Sequence, residues 1–380
     1  MILLSGSVRF YMEFGYILIP LFLLLSIILF LWFGKNRKMP NVLLLTFLIL
    51  FPLFNISFLN TSLASNLAYS CILFTLASYF TIISIKFNKF RQVWLSLINF
   101  LCLISIVVQI FHDLGNLIPS DLDIRGRLTT LYFFNCDWGE HRLSSIYWEP
   151  GQFQVLLIVT LCLFTDELCK LKEYKLLLRK FGLIILALVM TLSTTGYLCL
   201  MILMFSIFNF SSHLKISLDK RLLYSFLSIL TLSALWASEP VQMKLDQSKE
   251  LDENSSASIR LADNIALLRT ISDAPLLGLG LDTVQQNHAK IRYGNKSSSN
   301  GWLNAASAYG VIYVGCILIT IFIRIKSMPR GISAPVIWLT LVVTQSNEYL
   351  IFFPYMYLFI FNFKEGLIGK YQKQNSLYSK

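Results

Sequence analysis

Long apolar segments alternate with short polar links along almost the whole chain. A helix needs roughly 20 apolar residues to cross a bilayer, and residues 14–33 supply such a run without a charge and without a small-residue cleavage site after it, which favours an anchor over a signal peptide. The apolar segments lie at about residues 14–33, 41–59, 66–85, 93–111, 152–165, 181–194, 196–210, 222–237, 301–323, 333–344 and 349–363. The pattern predicts an all-α, polytopic integral membrane protein with about 11 transmembrane helices in a single membrane domain, residues 1–380.

The positive charges indicate which links lie on which side of the membrane. Cytoplasmic links are enriched in Lys and Arg, and here every second link is basic. The short links Asn60–Ser65 and Gln345–Glu348 contain neither residue type. We therefore expect the N-terminus outside and two larger extracytoplasmic loops, residues 112–151 and 238–300, the second containing an amphipathic helix.

One apolar run is too long for a single crossing. Phe181–Phe210 has basic residues on both flanks, so one crossing would leave a basic flank outside. A break at Ser193–Gly196 with two short crossings fits better. Short, interrupted helices usually line a cavity, because their freed backbone groups cannot face lipid.

Composition and cysteine usage narrow the function classes. Hydrophobic residues make up 56% of the chain and charged residues 14%, and the net charge is +11. We interpret the excess positive charge as a marker of membrane topology rather than as a sign of nucleic-acid binding. The seven cysteines lie mostly inside apolar runs and show no metal-binding spacing. We expect no metal, no cofactor and no nucleic acid.

The expected outer loops combine most of the acidic residues with several arginines. Arginine forks suit phosphate oxygens, so a positive pocket at the membrane edge would hold a lipid diphosphate. In "YWEPGQF", Pro150 is suited to the first position of a helix and Glu149 would complement the positive helix end. Alternatively, Glu149 acts on a sugar hydroxyl or pairs with Arg142.

The second loop contains "SIRLADNIALLRTISDAPLLGLG", whose apolar spacing predicts an amphipathic helix. Arg260 and Arg269 are nine residues apart, about 180° around a straight helix. They cannot both point at one phosphate unless the helix bends. Either one alone could instead be a solvated or snorkelling arginine at the interface.

Three further polar residues have both a structural and a functional interpretation. His288 is either a surface histidine or a base or phosphate donor. Asn300 either caps the following helix or binds a substrate hydroxyl. Glu348 is costly at membrane depth, which favours a functional role, and ordinary at a shallow interfacial position.

The order of these features resembles the O-antigen and exopolysaccharide repeat-unit polymerases (Wzy-like), relatives of the O-antigen ligases. The resemblance covers residues 142–365. It includes one arginine and glycine pair separated by ten residues, Arg269 and Gly280. In the first loop the spacing is one residue too long, because eleven residues separate Arg127 from Gly139. The segments that carry it are "RLSSIYWEPGQF", "LSTTGYL", "SIRLADNIALLRTISDAPLLGLG", "SNGWLNAASAYGVIYVG" and "SNEYLIFFP".

The resemblance implies a metal-independent membrane glycosyltransferase of C-type architecture in the bacterial inner membrane, with its active site facing the periplasm. It would transfer a growing glycan from polyprenyl (undecaprenyl) diphosphate to a hydroxyl of the next lipid-linked repeat unit, with a chain-length regulator protein as partner. The arginines would offset the charge of the departing diphosphate. The candidate catalytic residues are Glu149, Arg269 and His288, and the candidate diphosphate-binding or glycan-binding residues are Arg142, Arg260, Asn300 and Glu348.

Two other functions remain open from the sequence. An O-antigen ligase would use the same donor but transfer the glycan to a lipid core. A flippase for lipid-linked oligosaccharides would need charged residues along its spans, whereas the spans here are nearly free of charge.

Overall fold

The structure is a computed structural model, and it describes most of the chain. The described residues are 8–33, 41–58, 64–115, 117–122, 128–131, 133–136, 142–147, 149–170, 174–210, 256–281, 283–284, 300–346, 348 and 354–363, with single residues at 226, 230, 233, 242 and 287. His288 and nearly all of the expected segment 222–237 lie outside them.

Eleven α-helices make up most of the described part of the chain. Two of them, Phe87–Asp113 and Gly301–Ser327, are long and apolar enough to cross a membrane. The helices are α1 (Val8–Phe33), α2 (Val42–Phe58), α3 (Ala64–Ser84), α4 (Phe87–Asp113), α5 (Pro150–Leu163), α6 (Thr165–Lys170), α7 (Tyr174–Met190), α8 (Thr194–Phe210), α9 (Ser256–Asp273), α10 (Gly301–Ser327) and α11 (Ala334–Gln345).

The break inside the long apolar run is confirmed, but it lies at residues 191–193 and so starts two residues and ends three residues earlier than predicted. Helix α7 ends at Met190 and α8 begins at Thr194. The amide of Leu143 donates to the carbonyl of Met190 at 2.9 Å, and the Tyr197 hydroxyl donates to the carbonyl of Val189 at 2.7 Å. Backbone groups at the end of α7 therefore find partners inside the protein, as a break in an apolar run requires.

A small antiparallel sheet in the first loop corrects the all-α expectation. Its strands, in spatial order, are β1 (Ser120–Leu122), β2 (Leu128–Thr130) and β3 (Phe134–Asn135). Strands of two or three residues are too short to show an alternating pattern, so no periodicity in the sequence indicates them. The amide of Asn135 donates to the carbonyl of Ser145 at 2.8 Å, which joins the sheet to residues 142–147.

The expected α-helical span at 349–363 is wrong for its described part, residues 354–363. This stretch contains a 3₁₀ turn, Met356–Phe359, and lies buried in the core. Pro354 disfavours a helical conformation in the residue before it. A helix that arrived from the N-terminal side could not continue through the proline ring, because the ring clashes with the preceding turn and has no N–H. The Tyr357 hydroxyl lies 2.6 Å from the Thr75 hydroxyl of α3, which fixes the stretch against the first third of the chain.

Helix α10 is interrupted at Gly310, where the backbone has φ 83° and ψ 162°. Residues 275–280 fill the interruption with three backbone hydrogen bonds: Leu279 to the Ser307 carbonyl at 2.9 Å, Gly280 to the Ala308 carbonyl at 3.0 Å, and Val311 to the Pro275 carbonyl at 2.8 Å. A Cβ atom at Gly310 would overlap with the Leu276 carbonyl, so only glycine permits this approach.

A buried ion pair joins α4 to α6 on the side predicted to be cytoplasmic. The Arg91 guanidinium donates to both carboxylate oxygens of Asp166, at 3.1 and 2.6 Å, and lies 4.5 Å from the centre of the Phe164 ring. It also lies 3.1 Å from Glu167. The bidentate geometry makes this arginine a structural link between α4 and α6.

Removing Asp166 should destabilise the protein far more than removing a neighbouring surface charge. We expect Asp166→Ala to cost about 3–5 kcal/mol, because it leaves the Arg91 charge buried with an incomplete partner set. Lys180→Ala, which removes the half-exposed Lys180–Glu167 pair, should cost about 0–1 kcal/mol. Thermal unfolding of both variants in detergent measures the difference, and equal losses would contradict a structural role for the Arg91 pair.

Candidate functional site

Glu348 lies just beyond the end of α11 and points its carboxyl group at the start of α5. Its side chain is nearly inaccessible, with 7% of the residue exposed. The carboxyl group packs directly on Gly151, where an added Cβ atom would overlap with Oε1 of Glu348. A glycine in the first turn of α5 therefore makes the space for this carboxyl group.

The electrostatic surroundings of Glu348 bring four charged residues together. Burial, and to a smaller extent the nearby Glu149, raise the pKa of Glu348 to about 8 against the opposing effects of Arg260 and Arg142. These residues come from the first loop, α9 and the link after α11. The structure thus joins four of the seven candidates that the sequence identified.

Glu149 begins α5 as the sequence predicted. It is the N-cap residue with extended backbone angles, Pro150 follows at the first helical position, and the Glu149 main-chain carbonyl accepts from the amides of Gln152 and Phe153 at 3.0 and 3.3 Å. Its carboxylate does not cap the helix. The helix-start role is therefore carried by the backbone and by Pro150, so the side chain can interact with the charged cluster.

Arg142 is anchored at the break between α7 and α8. Its Nε donates to the carbonyl of Thr191 at 3.3 Å, and the next residue, Leu143, bonds to the end of α7. The "LSTTGYL" break and the "YWEPGQF" motif therefore meet at the same end of the molecule. This contact positions Arg142 toward Glu348.

The two arginines of α9 lie on different sides of that helix. Helix α9 is continuous from Ser256 to Asp273, with Arg260 partly buried and Arg269 exposed. The charged groups that shift the pKa of Glu348 include Arg260 but not Arg269. The structure does not bring Arg269 into the cluster, and its role at a diphosphate stays a prediction.

Asn300 connects α9 to the beginning of α10. Its Oδ1 accepts from the amide of Leu303 at 3.0 Å, which confirms the predicted N-cap, and its Nδ2 donates to Oδ1 of Asn264 at 3.0 Å. Asn264 is one turn after Arg260 on α9. Asn300 therefore helps to position the helix that carries Arg260.

Sequence reasoning missed three residues beside the cluster, Tyr147, Gly151 and Gln154. Within the part of the chain that the structure describes, the Tyr147 hydroxyl and the Gln154 amide nitrogen are buried and meet no hydrogen-bond partner, and Gln154 packs against Gly196. Burial raises the pKa of Tyr147, and this tyrosine stacks on Phe153 with ring centres 5.9 Å apart. Tyr147, Glu149 and Gly151 alternate in one motif, a signal that the sequence analysis could have used.

The arrangement can bind an anion and hold a proton. Two guanidinium groups offer several donors to phosphate oxygens. A carboxyl group with a pKa of about 8 remains mostly protonated at neutral pH, so Glu348 can donate a hydrogen bond as well as accept one.

The raised pKa of Glu348 predicts a stability that falls as the pH rises. Between about pH 4.5 and pH 8 the unfolded chain loses the Glu348 proton while the folded protein keeps it, so the free energy of unfolding decreases through this window and levels off above it. Replacing the carboxyl by an amide, Glu348→Gln, removes this contribution. Thermal unfolding from pH 5 to pH 9 should show wild type losing stability relative to the variant. Parallel curves would exclude a buried carboxyl group with a raised pKa at this position.

Adding a methyl group at Gly151 should displace the Glu348 carboxyl group without unfolding α5. The obstructing atoms belong to the end of a flexible side chain, so that side chain must move. We expect Gly151→Ala to insert and purify normally and to weaken the pH dependence that distinguishes wild type from Glu348→Gln. Gly182→Ala in α7 is the matched control, because its Cβ atom meets nothing closer than 3.8 Å; an unchanged pH profile in Gly151→Ala would contradict the contact.

Comparison with known proteins leaves the family undetermined. No family model, no curated protein and no solved structure matches this chain.

Proposed function

We propose that the protein is a membrane glycosyltransferase that polymerises lipid-linked oligosaccharide repeat units for a bacterial surface polysaccharide. The observation that carries the proposal is the convergence of Arg142, Arg260, Glu149 and Glu348 at one end of the helices. Glycan transfer from a polyprenyl diphosphate uses hydrogen-bond donors that stabilise the departing diphosphate. It also uses a carboxylate that accepts the proton of the attacking hydroxyl.

The membrane part of the proposal is a multi-pass protein of the inner membrane with the charged cluster on the outer side. Two helices of spanning length, α4 and α10, support it. Large apolar side chains are exposed along these helices, Phe100 in α4 and Ile319 in α10 among them, as lipid contact requires. The basic links assign the opposite side to the cytoplasm.

The transfer proceeds as a displacement at the anomeric carbon of the growing glycan. The acceptor hydroxyl oxygen forms a bond to that carbon while the bond to the diphosphate oxygen breaks. Glu149 takes the hydroxyl proton, and Arg142 and Arg260 neutralise the departing diphosphate. Glu348, protonated at neutral pH, donates a hydrogen bond to the glycan.

The decisive experiment is reconstitution of the purified protein in liposomes with polyprenyl diphosphate-linked repeat oligosaccharide as the only substrate. Products that increase by one repeat at a time on a gel would support polymerisation. Transfer that occurs only after a lipid-core acceptor is added would identify a ligase instead. Movement of the lipid-linked oligosaccharide across the bilayer without new bonds would identify a flippase.

Arginine variants in this assay separate the cluster from the exposed side of α9. We expect Arg260→Ala and Arg142→Ala each to lower kcat by about 100-fold, the order of magnitude lost with one transition-state donor. Arg269→Ala should raise KM with a smaller effect on kcat, because Arg269 is exposed and can only attract the diphosphate at the membrane edge. Lys326→Ala, at the opposite end of α10, is the control. A kcat loss in Arg269→Ala as large as that in Arg260→Ala would place the diphosphate on the other side of α9.

A further inference from the structure

Helix α9 has two apolar faces, and the protein covers one of them. Ala266 and Leu267 are buried against α10, where the Ser307 hydroxyl donates to the Leu267 carbonyl at 3.2 Å. Leu261, Ile265 and Leu268 form a second stripe with 62%, 43% and 54% of their surface exposed. Their spacing of four and three residues places them on a single face of the helix.

The exposed stripe continues beyond the end of α9. Leu276 and Leu277 are exposed in the segment that fills the break of α10. The amide of Val311 bonds to the Pro275 carbonyl, and Val311 and Ile312 are themselves exposed on α10. The outward face of α9 and the surface of a spanning helix are thus one continuous apolar surface.

The position of these contacts along α10 indicates their depth. A hydrocarbon core of about 30 Å corresponds to about 20 helical residues. Counting back from Arg324, the first charged residue at the inner end of α10, reaches the outer edge of the core near Asn304. Ser307, Ala308 and Gly310, which hold α9 and residues 275–280, lie further along α10 and therefore below that edge.

We propose that α9 and residues 275–280 are embedded in the outer leaflet, with Leu261, Ile265, Leu268, Leu276 and Leu277 packed against lipid acyl chains. The inference rests on the membrane topology of the proposed function. An apolar surface of this extent in water would be unfavourable, while the long side chain of the exposed Arg269 can reach the head groups from the edge of the helix.

This placement gives α9 a role in substrate delivery. Its lipid-facing side holds the helix at a fixed depth, and Arg260, on another side, is then held at the level of lipid head groups. A diphosphate attached to a membrane-anchored polyprenyl chain arrives at that same level. Helix α9 therefore positions Arg260 to meet the diphosphate without removing the lipid chain from the bilayer.

The proposal can be tested by attaching a bimane fluorophore to single introduced cysteines in liposomes. The variants are Ile265→Cys and Leu268→Cys on the exposed stripe, Asp121→Cys on the exposed sheet of the first loop, and Leu103→Cys on the exposed surface of α4. Quenching by phospholipids with a nitroxide in the acyl chain reports lipid contact, and quenching by iodide reports water contact. Background labelling of the seven native cysteines is measured on the unmodified protein.

We expect lipid quenching at 265 and 268 to reach at least half of that at 103, and iodide quenching to dominate at 121. Iodide quenching at 265 and 268, with lipid quenching at 103 retained, would overturn the embedding of α9 while leaving the spanning topology intact. Protection of 265 and 268 from both quenchers would also overturn it, by indicating a second copy of the chain or another protein on this face. Absence of lipid quenching at 103 would overturn the membrane topology of the proposed function itself.

Discussion

Three backbone hydrogen bonds at the break in α10 determine where Arg260 lies relative to the other charges around Glu348. They require glycine at 310, because the carbonyl of Leu276 occupies the space of a side chain. Through residues 275–280 they hold α9, and α9 holds Arg260 beside Glu348. The placement of the Arg260 guanidinium thus depends on uncharged backbone groups, which are rigid and strongly driven to pair away from water.

The two ends of the molecule differ in how completely their buried charges are paired. At one end, Arg91 and Asp166 form a bidentate pair whose charges match. At the other end, the two arginines only partly offset the burial of Glu348 and the repulsion from Glu149, so the carboxyl group retains a proton. A fully matched pair favours stability, whereas an incompletely matched cluster remains available for a charged ligand.

Much of the helical framework could be predicted from the sequence, because long apolar runs and basic links are strong signals. The sequence also identified Glu149, Arg142, Arg260 and Glu348 one by one. Their convergence could not be derived, since Glu149 and Glu348 are about 200 residues apart and no periodicity relates them. Residues 354–363 were misassigned because burial in protein and burial in lipid select the same apolar residues.

The aromatic stretch at 354–363 has a consequence for how the protein is made. Tyr357 contacts Thr75, its partner on α3, across 282 residues of chain. At roughly 5–20 residues per second, translation separates the two by about 15 s to a minute. During that time the surfaces of α3 and α4 that later enclose this stretch have no native partner, so the interior of the bundle closes only when synthesis is nearly complete. A ribosome that stops before codon 354 would leave a nascent chain whose early helices are formed but whose centre is unfilled, a form that proteases can distinguish from the finished protein.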